Sequence, residues 1–230
     1  MRRRLIAGAC LVLAAEPNVR AVPLAVRLHI DLRSTVPDAI LRGALAEAAR
    51  VWAPYGVRLQ QADASSQADT MADALMLTVF IDDSATSAEG DDGVGAIQFG
   101  PDGAPAPAVT VHYGRVKRLA LGSDVLGIRA SQWPARVRDD ILGRALGRAL
   151  AHEVGHFVLR WSHHAKAGLM QPSHHASALT DPDLKGFALT DVEVARLRIV
   201  TAAQAAAFAS AAAAAGGNPK STDPLAAANR

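Results

Sequence analysis

The chain has 230 residues, half of them apolar and a fifth charged, with a formal net charge of +2. That allows one domain with a sizeable core. It excludes a disordered chain and a disulfide scaffold, since Cys10 is the only cysteine. The charge is not that of a nucleic-acid binder: without residues 1–21, Arg2, Arg3, Arg4 and Arg20 leave together with Glu16, and +2 becomes about −1.

Met1-Arg2-Arg3-Arg4 followed by the apolar run Leu5 to Ala15 reads as an export signal over residues 1–21, with small residues at Ala14, Ala15 and Ala21 as cleavage points. The run is too short to span a bilayer. The expectation is a secreted or periplasmic bacterial protein with no stable membrane anchor after signal removal. Residues 22–215 then form one domain, and 216–230 a disordered tail.

From Val22 to Leu32 apolar and polar residues alternate, which predicts a half-buried strand. A helix follows from Pro37 to about Ala53, with Ile40, Leu41, Leu45, Ala48 and Trp52 at helical spacing, and Pro54-Tyr55-Gly56 ends it. Val57 to Gln61 is a short strand, 62–70 a polar loop, and Leu75 to Ile81 a strand expected to be buried on both faces. Residues 82–95 read as an exposed loop. Its acidic residues (Asp82, Asp83, Glu89, Asp91, Asp92) lack the ordered spacing of a calcium loop, so a solvated acidic loop is the better reading than a calcium site. Gly95 to Phe99 reads as an edge strand, Val109 to Tyr113 as another strand, and 115–121 as a helical turn.

The main helix is predicted from about Pro134 to Leu159. Gly143, Gly147, Ala151 and Gly155 recur every four residues along it and form a ridge without bulk, read as close packing against a sheet. A loop rich in His, Ser, Pro and Gly extends to about Ala188. A final helix begins at Thr190, with Glu193 completing a capping box, and runs on toward Ala215.

His152-Glu153-Val154-Gly155-His156 lies in the last turns of the main helix. Residues four apart share a helix face, so both imidazoles can reach one metal ion. Zinc suits neutral imidazole nitrogen, and Glu153 stands where it can take a proton from a water. Two histidines and a glutamate in a nearly apolar helix are costly to bury without a partner. A third ligand must come from elsewhere. His163 on a continued helix would lie about 16 Å along the axis from His152, so the chain must turn sharply for His163 or His164 to return. Glu193 on the later helix is the other solution.

The stretch from His152 to His164, with Gly168-Leu169-Met170-Gln171-Pro172 after it, resembles the metzincin metallopeptidases, which carry H-E-x-x-H-x-x-G-x-x-H and then a methionine-containing turn beneath the metal. About twenty residues carry the likeness closely, and the preceding order strand-helix-strand-strand-strand-helix is similar too. The resemblance implies an α+β, zincin/metzincin-like single catalytic domain with a mixed twisted sheet, a long active-site helix and a C-terminal helix. It implies a zinc-dependent endopeptidase acting on peptides or proteins, with Glu153 as general base, His152, His156 and His164 as ligands (His163 as alternative), and Met170 in the turn. The chain departs from the pattern: Leu159 falls where the family has glycine and Ser162 where it has the third histidine. With no glycine between His156 and His164, a non-glycine residue in a left-handed turn costs roughly 1 kcal/mol. The family's propeptide cysteine and its tyrosine after the methionine have no counterpart. His174, His175, Tyr113 and Arg160 are candidate donors to a developing oxyanion. Two other readings stay open: a gluzincin-type peptidase using Glu193 as third ligand, and an exported zinc-stabilised binding protein without proteolytic activity.

Overall fold

A computed structural model describes residues 23–62, 74–83, 93–125 and 127–215. The expected export signal with Cys10, most of the polar loop, the acidic residues Glu89, Asp91 and Asp92, and the expected tail lie outside the described residues.

The chain forms β1 (Leu24–Leu32), α1 (Asp38–Trp52), β2 (Val57–Gln61), β3 (Ala74–Asp82), β4 (Gly95–Phe99), β5 (Pro105–His112), α2 (Tyr113–Leu121), the short pair β6 (Asp124–Val125) and β7 (Ile128–Arg129), α3 (Ala135–Leu159), α4 (Ala176–Thr180) and α5 (Asp191–Ala215). The main sheet has five strands in the order β2-β1-β3-β5-β4. β1, β2, β3 and β5 run parallel, and β4 is antiparallel to β5 at the edge. The fold is therefore mixed α/β, with α1 serving as the crossover that parallel neighbours β1 and β2 require.

Alternation in β1 places Leu24, Val26 and Leu28 in the core. β3 was expected to be buried on both faces and is not. Leu77, Val79 and Ile81 are buried, whereas Met76 is exposed and Phe80 is partly covered by Arg33, 3.7 Å from its ring. The reason is architectural: α1 and α3 pack on each other and on one face of the sheet, so the opposite face meets water. β5 starts four residues before the expected Val109, and Tyr113 opens α2 instead of ending the strand. Pro105 and Pro107 are tolerated because the ladder with β3 begins only at Ala108.

The small-residue ridge of α3 meets another helix, not the sheet. A Cβ at Gly143 would stand 3.2 Å from Gly43 Cα, and one at Gly147 2.6 Å from Glu47 Cβ. Further along, the Trp52 indole N–H donates to the Ala151 carbonyl at 3.1 Å. Missing side chains on α3 thus let α1 approach at backbone distance. The loop expected from Leu159 to Ala188 contains the short helix α4. At the start of α5 the capping box is formed: Thr190 N–H donates to Glu193 Oε2 at 2.6 Å, and Glu193 N–H to Thr190 Oγ1 at 3.4 Å. By length and composition α5 is apolar enough to cross a membrane, with a mean hydropathy of 1.3 over Asp191–Ala214. Leu197, Val200 and Glu193 in its first half are buried, while the alanine-rich second half is largely exposed.

Candidate metal centre

α3 is capped by Pro134, whose missing N–H and fixed φ suit a helix start. It ends at Arg160, at φ 50° and ψ 51°. Among the described residues Arg160 is the one non-glycine residue with positive φ. The left-handed turn that the glycine-free spacing demands is made there. Two contacts hold it: Trp161 N–H donates to the His156 carbonyl at 3.2 Å, and Arg196 of α5 donates to the Leu159 and Arg160 carbonyls at 3.0 and 3.2 Å.

The reversed chain brings His164 back over the helix. The Nε2 atom of His156 lies 3.2 Å from that of His152 and 3.3 Å from that of His164. One ligand atom from each of the three lies within 4.8 Å of the others, the one such group of three or more His, Cys, Asp or Glu found among the described residues. His163 and Glu193 do not belong to it. His163 is exposed beside Trp161, and the Glu193 carboxylate accepts from Thr190.

Hydrogen bonds set the tautomers. His152 Nδ1 donates to the Leu169 carbonyl at 2.8 Å and His156 Nδ1 to the Trp161 carbonyl at 2.7 Å. A carbonyl only accepts, so each Nδ1 carries the proton and each Nε2 presents a bare lone pair. Burial pushes His152 down to about 3, against the opposing pull of the Leu169 carbonyl. Burial also lowers His156 and His164. Two facing lone pairs about 3 Å apart, on rings held neutral, repel unless a cation sits between them. Bonds of about 2.0–2.1 Å in a tetrahedral shell would place neighbouring donor nitrogens about 3.3 Å apart, which matches both observed separations. The three histidines can hold a metal ion, and their donor set fits one.

The turn beneath is built by Gly168, at φ 84°, where a Cβ would strike the Ala188 carbonyl. It aims the Leu169 carbonyl at His152 and buries Met170 to 1% exposure. Met170 fills the space left by Gly155, where a Cβ would collide with its sulfur. A single missing side chain between the two helix histidines therefore seats the methionine under them.

A cleft of about 510 Å³ opens over the cluster, lined by β4, by Glu153 and by the segment after Met170. Glu153 is 4% exposed and lies against Gly95 of β4. Phe99 stands edge-on to His156 with ring centroids 6.3 Å apart. Of the four candidate oxyanion donors, His174 lines the cleft, and Tyr113, His175 and Arg160 do not. His174 stacks on Phe187 and its Nε2–H donates to the Leu169 carbonyl at 3.2 Å, so it shares an acceptor with His152. Sequence reasoning missed the carbonyls of Leu169 and Trp161, which carry no residue-type signal, and the close approach of Glu153 to Gly95, since a glycine where a Gly- and Asp-rich loop meets a strand reads as part of the loop. Comparison with protein-family models, with curated proteins and with solved structures gave no match.

Proposed function

We propose that this chain is a zinc-dependent endopeptidase of metzincin-like build, exported from a bacterial cell. The observation that carries the reading is the pair of proton-free Nε2 atoms, His152 and His156, fixed by backbone carbonyls at a spacing that suits a shared ion, with His164 Nε2 beside them and a buried carboxylate adjacent. The buried methionine in a glycine-led turn supports the resemblance seen in the sequence, while the described elements before α3 run β1-α1-β2-β3-β4-β5-α2-β6-β7, with a strand, a helix and a hairpin beyond the order that the resemblance implies.

His152, His156 and His164 would hold the ion, and a zinc ion held there supplies a Lewis acid for a carbonyl oxygen and makes water acidic near neutral pH. Glu153 takes the proton of the attacking water and delivers it to the departing amine. β4 lies at the sheet edge beside the cleft, so an extended peptide can add to it as a further strand.

Metal analysis of the purified chain, with a peptide-library cleavage assay with and without chelator, tests the reading. Stoichiometric zinc and chelator-sensitive cleavage are expected. Glu153→Ala should keep zinc and lose about 10²–10⁴ in kcat. His164→Ala should lose at least about 100-fold in zinc affinity, and His163→Ala and Glu193→Gln should not. A chain that binds zinc for structure alone would melt earlier with chelator and cleave nothing, which would overturn the peptidase reading.

A further inference from the structure

Gly95 opens β4 opposite the helix histidines. A Cβ built there would stand 2.6 Å from Glu153 Oε1, 2.7 Å from Cγ and 2.8 Å from Cδ, separations that real Cβ atoms essentially never show. The backbone does not call for glycine at this place: among the described residues the positive-φ glycines are Gly56, Gly103, Gly127 and Gly168. At the first residue of this edge strand glycine adds no side chain to the packing and has more conformational freedom to lose than any other residue. What its absent side chain supplies is space for the Glu153 carboxylate.

The strand is not free to retreat. Gly95 pairs with Val111 in the β5 ladder. The Val94 carbonyl accepts from His112 N–H at 2.9 Å, and the Gly93 carbonyl accepts from the buried Arg115 guanidinium. On the other side Glu153 is fixed to α3, whose backbone there is buried beside Trp52 and Met170. With both backbones hydrogen-bonded in their own elements, the group with torsions free to turn away from a new Cβ is the Glu153 side chain.

We propose that Gly95 is a positioning residue, its missing side chain forming the slot that sets the Glu153 carboxylate beside the three histidines. The proposal rests on the reading of Glu153 as the general base, and its test separates the two. Gly95→Ala, Glu153→Ala and the double variant are made in the full chain. Urea unfolding of the chelator-treated proteins reads the contact without any catalysis. Gly95→Ala should lower the unfolding midpoint in the parent and leave it unchanged or raised in the Glu153→Ala background, where all three colliding atoms are gone. In the zinc-loaded proteins Gly95→Ala should keep full zinc stoichiometry, lose at least 100-fold in kcat, and change KM less than about threefold. An equal stability loss in both backgrounds, or a Gly95→Ala variant with the parent's kcat, overturns the proposal. Should the parent cleave no peptide, the general-base reading fails, and the unfolding cycle still decides whether Gly95 sets the position of the carboxylate.

Discussion

The charge network under the cleft predicts an unequal pair of perturbations. Arg148 of α3 is fully buried. Its Nε donates to Glu47 Oε1 at 2.8 Å, and its other nitrogens donate to the carbonyls of Ala178 and of Asp183, the latter at 2.9 Å. Its guanidinium lies 4.5 Å from the Phe187 ring centroid. Glu47 is also held by Arg50, whose side chain is about half exposed, through bonds of 2.8 and 2.9 Å. Glu47→Gln keeps the shape and removes the anion, leaving a fully buried guanidinium beside a second cation. Removing one partner of a buried pair costs about 3–5 kcal/mol, and with no solvent at Arg148 the upper half of that range applies. Arg148→Met removes the buried cation instead and leaves Glu47 with Arg50. Its cost is two carbonyls without their donor, about 1–3 kcal/mol for each that stays dry, and α4 with the following turn can shift to hydrate them. With one of the two carbonyls hydrated, Arg148→Met costs about 1–3 kcal/mol against about 4–5 kcal/mol for Glu47→Gln, so Glu47→Gln should be the more destabilising change by about 1–4 kcal/mol, and the double variant should be more stable than Glu47→Gln alone. Urea unfolding of the three variants measures this, and amide exchange over 176–187 should rise in Arg148→Met while α1 stays protected. A Glu47→Gln cost below about 1 kcal/mol, or strict additivity in the double variant, would refute the reasoning.

Gly155→Ala should cost about 1–3 kcal/mol by overpacking against Met170, and should weaken zinc binding about 10–100-fold as the displaced turn withdraws the Leu169 carbonyl from His152; unchanged zinc affinity in a competition titration speaks against that coupling. Arg160→Gly relieves about 1 kcal/mol of left-handed strain but frees the unfolded chain, so its urea midpoint should stay equal to the parent's or rise, whereas Arg160→Val should fall. In chelator-treated protein His152 takes its proton near 6.5 when unfolded and at about 3 when folded. Between those values the unfolded chain binds the extra proton, so stability declines as pH falls, by up to about 1.4 kcal/mol per pH unit from this group; a His152→Asn variant with the parent's slope would contradict this.

Features written in local spacing were legible before any fold was known. The period-two run of β1, the i,i+4 pair His152 and His156, and the Thr190–Glu193 box each depend on residues within one or two turns of each other. What depended on the partner was not legible. The glycine ridge signalled close approach but could not say to what, since a helix and a sheet ask the same thing of a surface without side chains. β3 read as doubly buried because Leu75 to Ile81 is almost continuously apolar, and only the placement of α1 and α3 together shows which face is covered. In the sequence, only the likeness of the turn at Met170 favours His164 over its neighbour His163, since a helix wheel cannot rank residues beyond a chain reversal. The three-dimensional arrangement separates them, His164 facing the helix pair and His163 facing Trp161.

That reversal also accounts for the two-residue delay of His164 against the pattern it resembles. α3 keeps its helical backbone through Leu159, where the pattern has glycine, and turns left-handed at Arg160. One extra residue is thus spent in the helix and one more in the return. Glycine would make such a turn without strain, and Arg160 makes it because its surroundings fix the outcome. The His156 carbonyl accepts from Trp161 N–H while the His156 ring donates to the Trp161 carbonyl, and Arg196 ties the last helical carbonyls to α5. The pair of residues that closes the turn, through Trp161 N–H to the His156 carbonyl, is the same pair that leaves His156 Nε2 proton-free, through His156 Nδ1–H to the Trp161 carbonyl. A strained backbone and a metal-ready imidazole are therefore one device, which is how a sequence can abandon the expected glycine and still bring three imidazole nitrogens to one point.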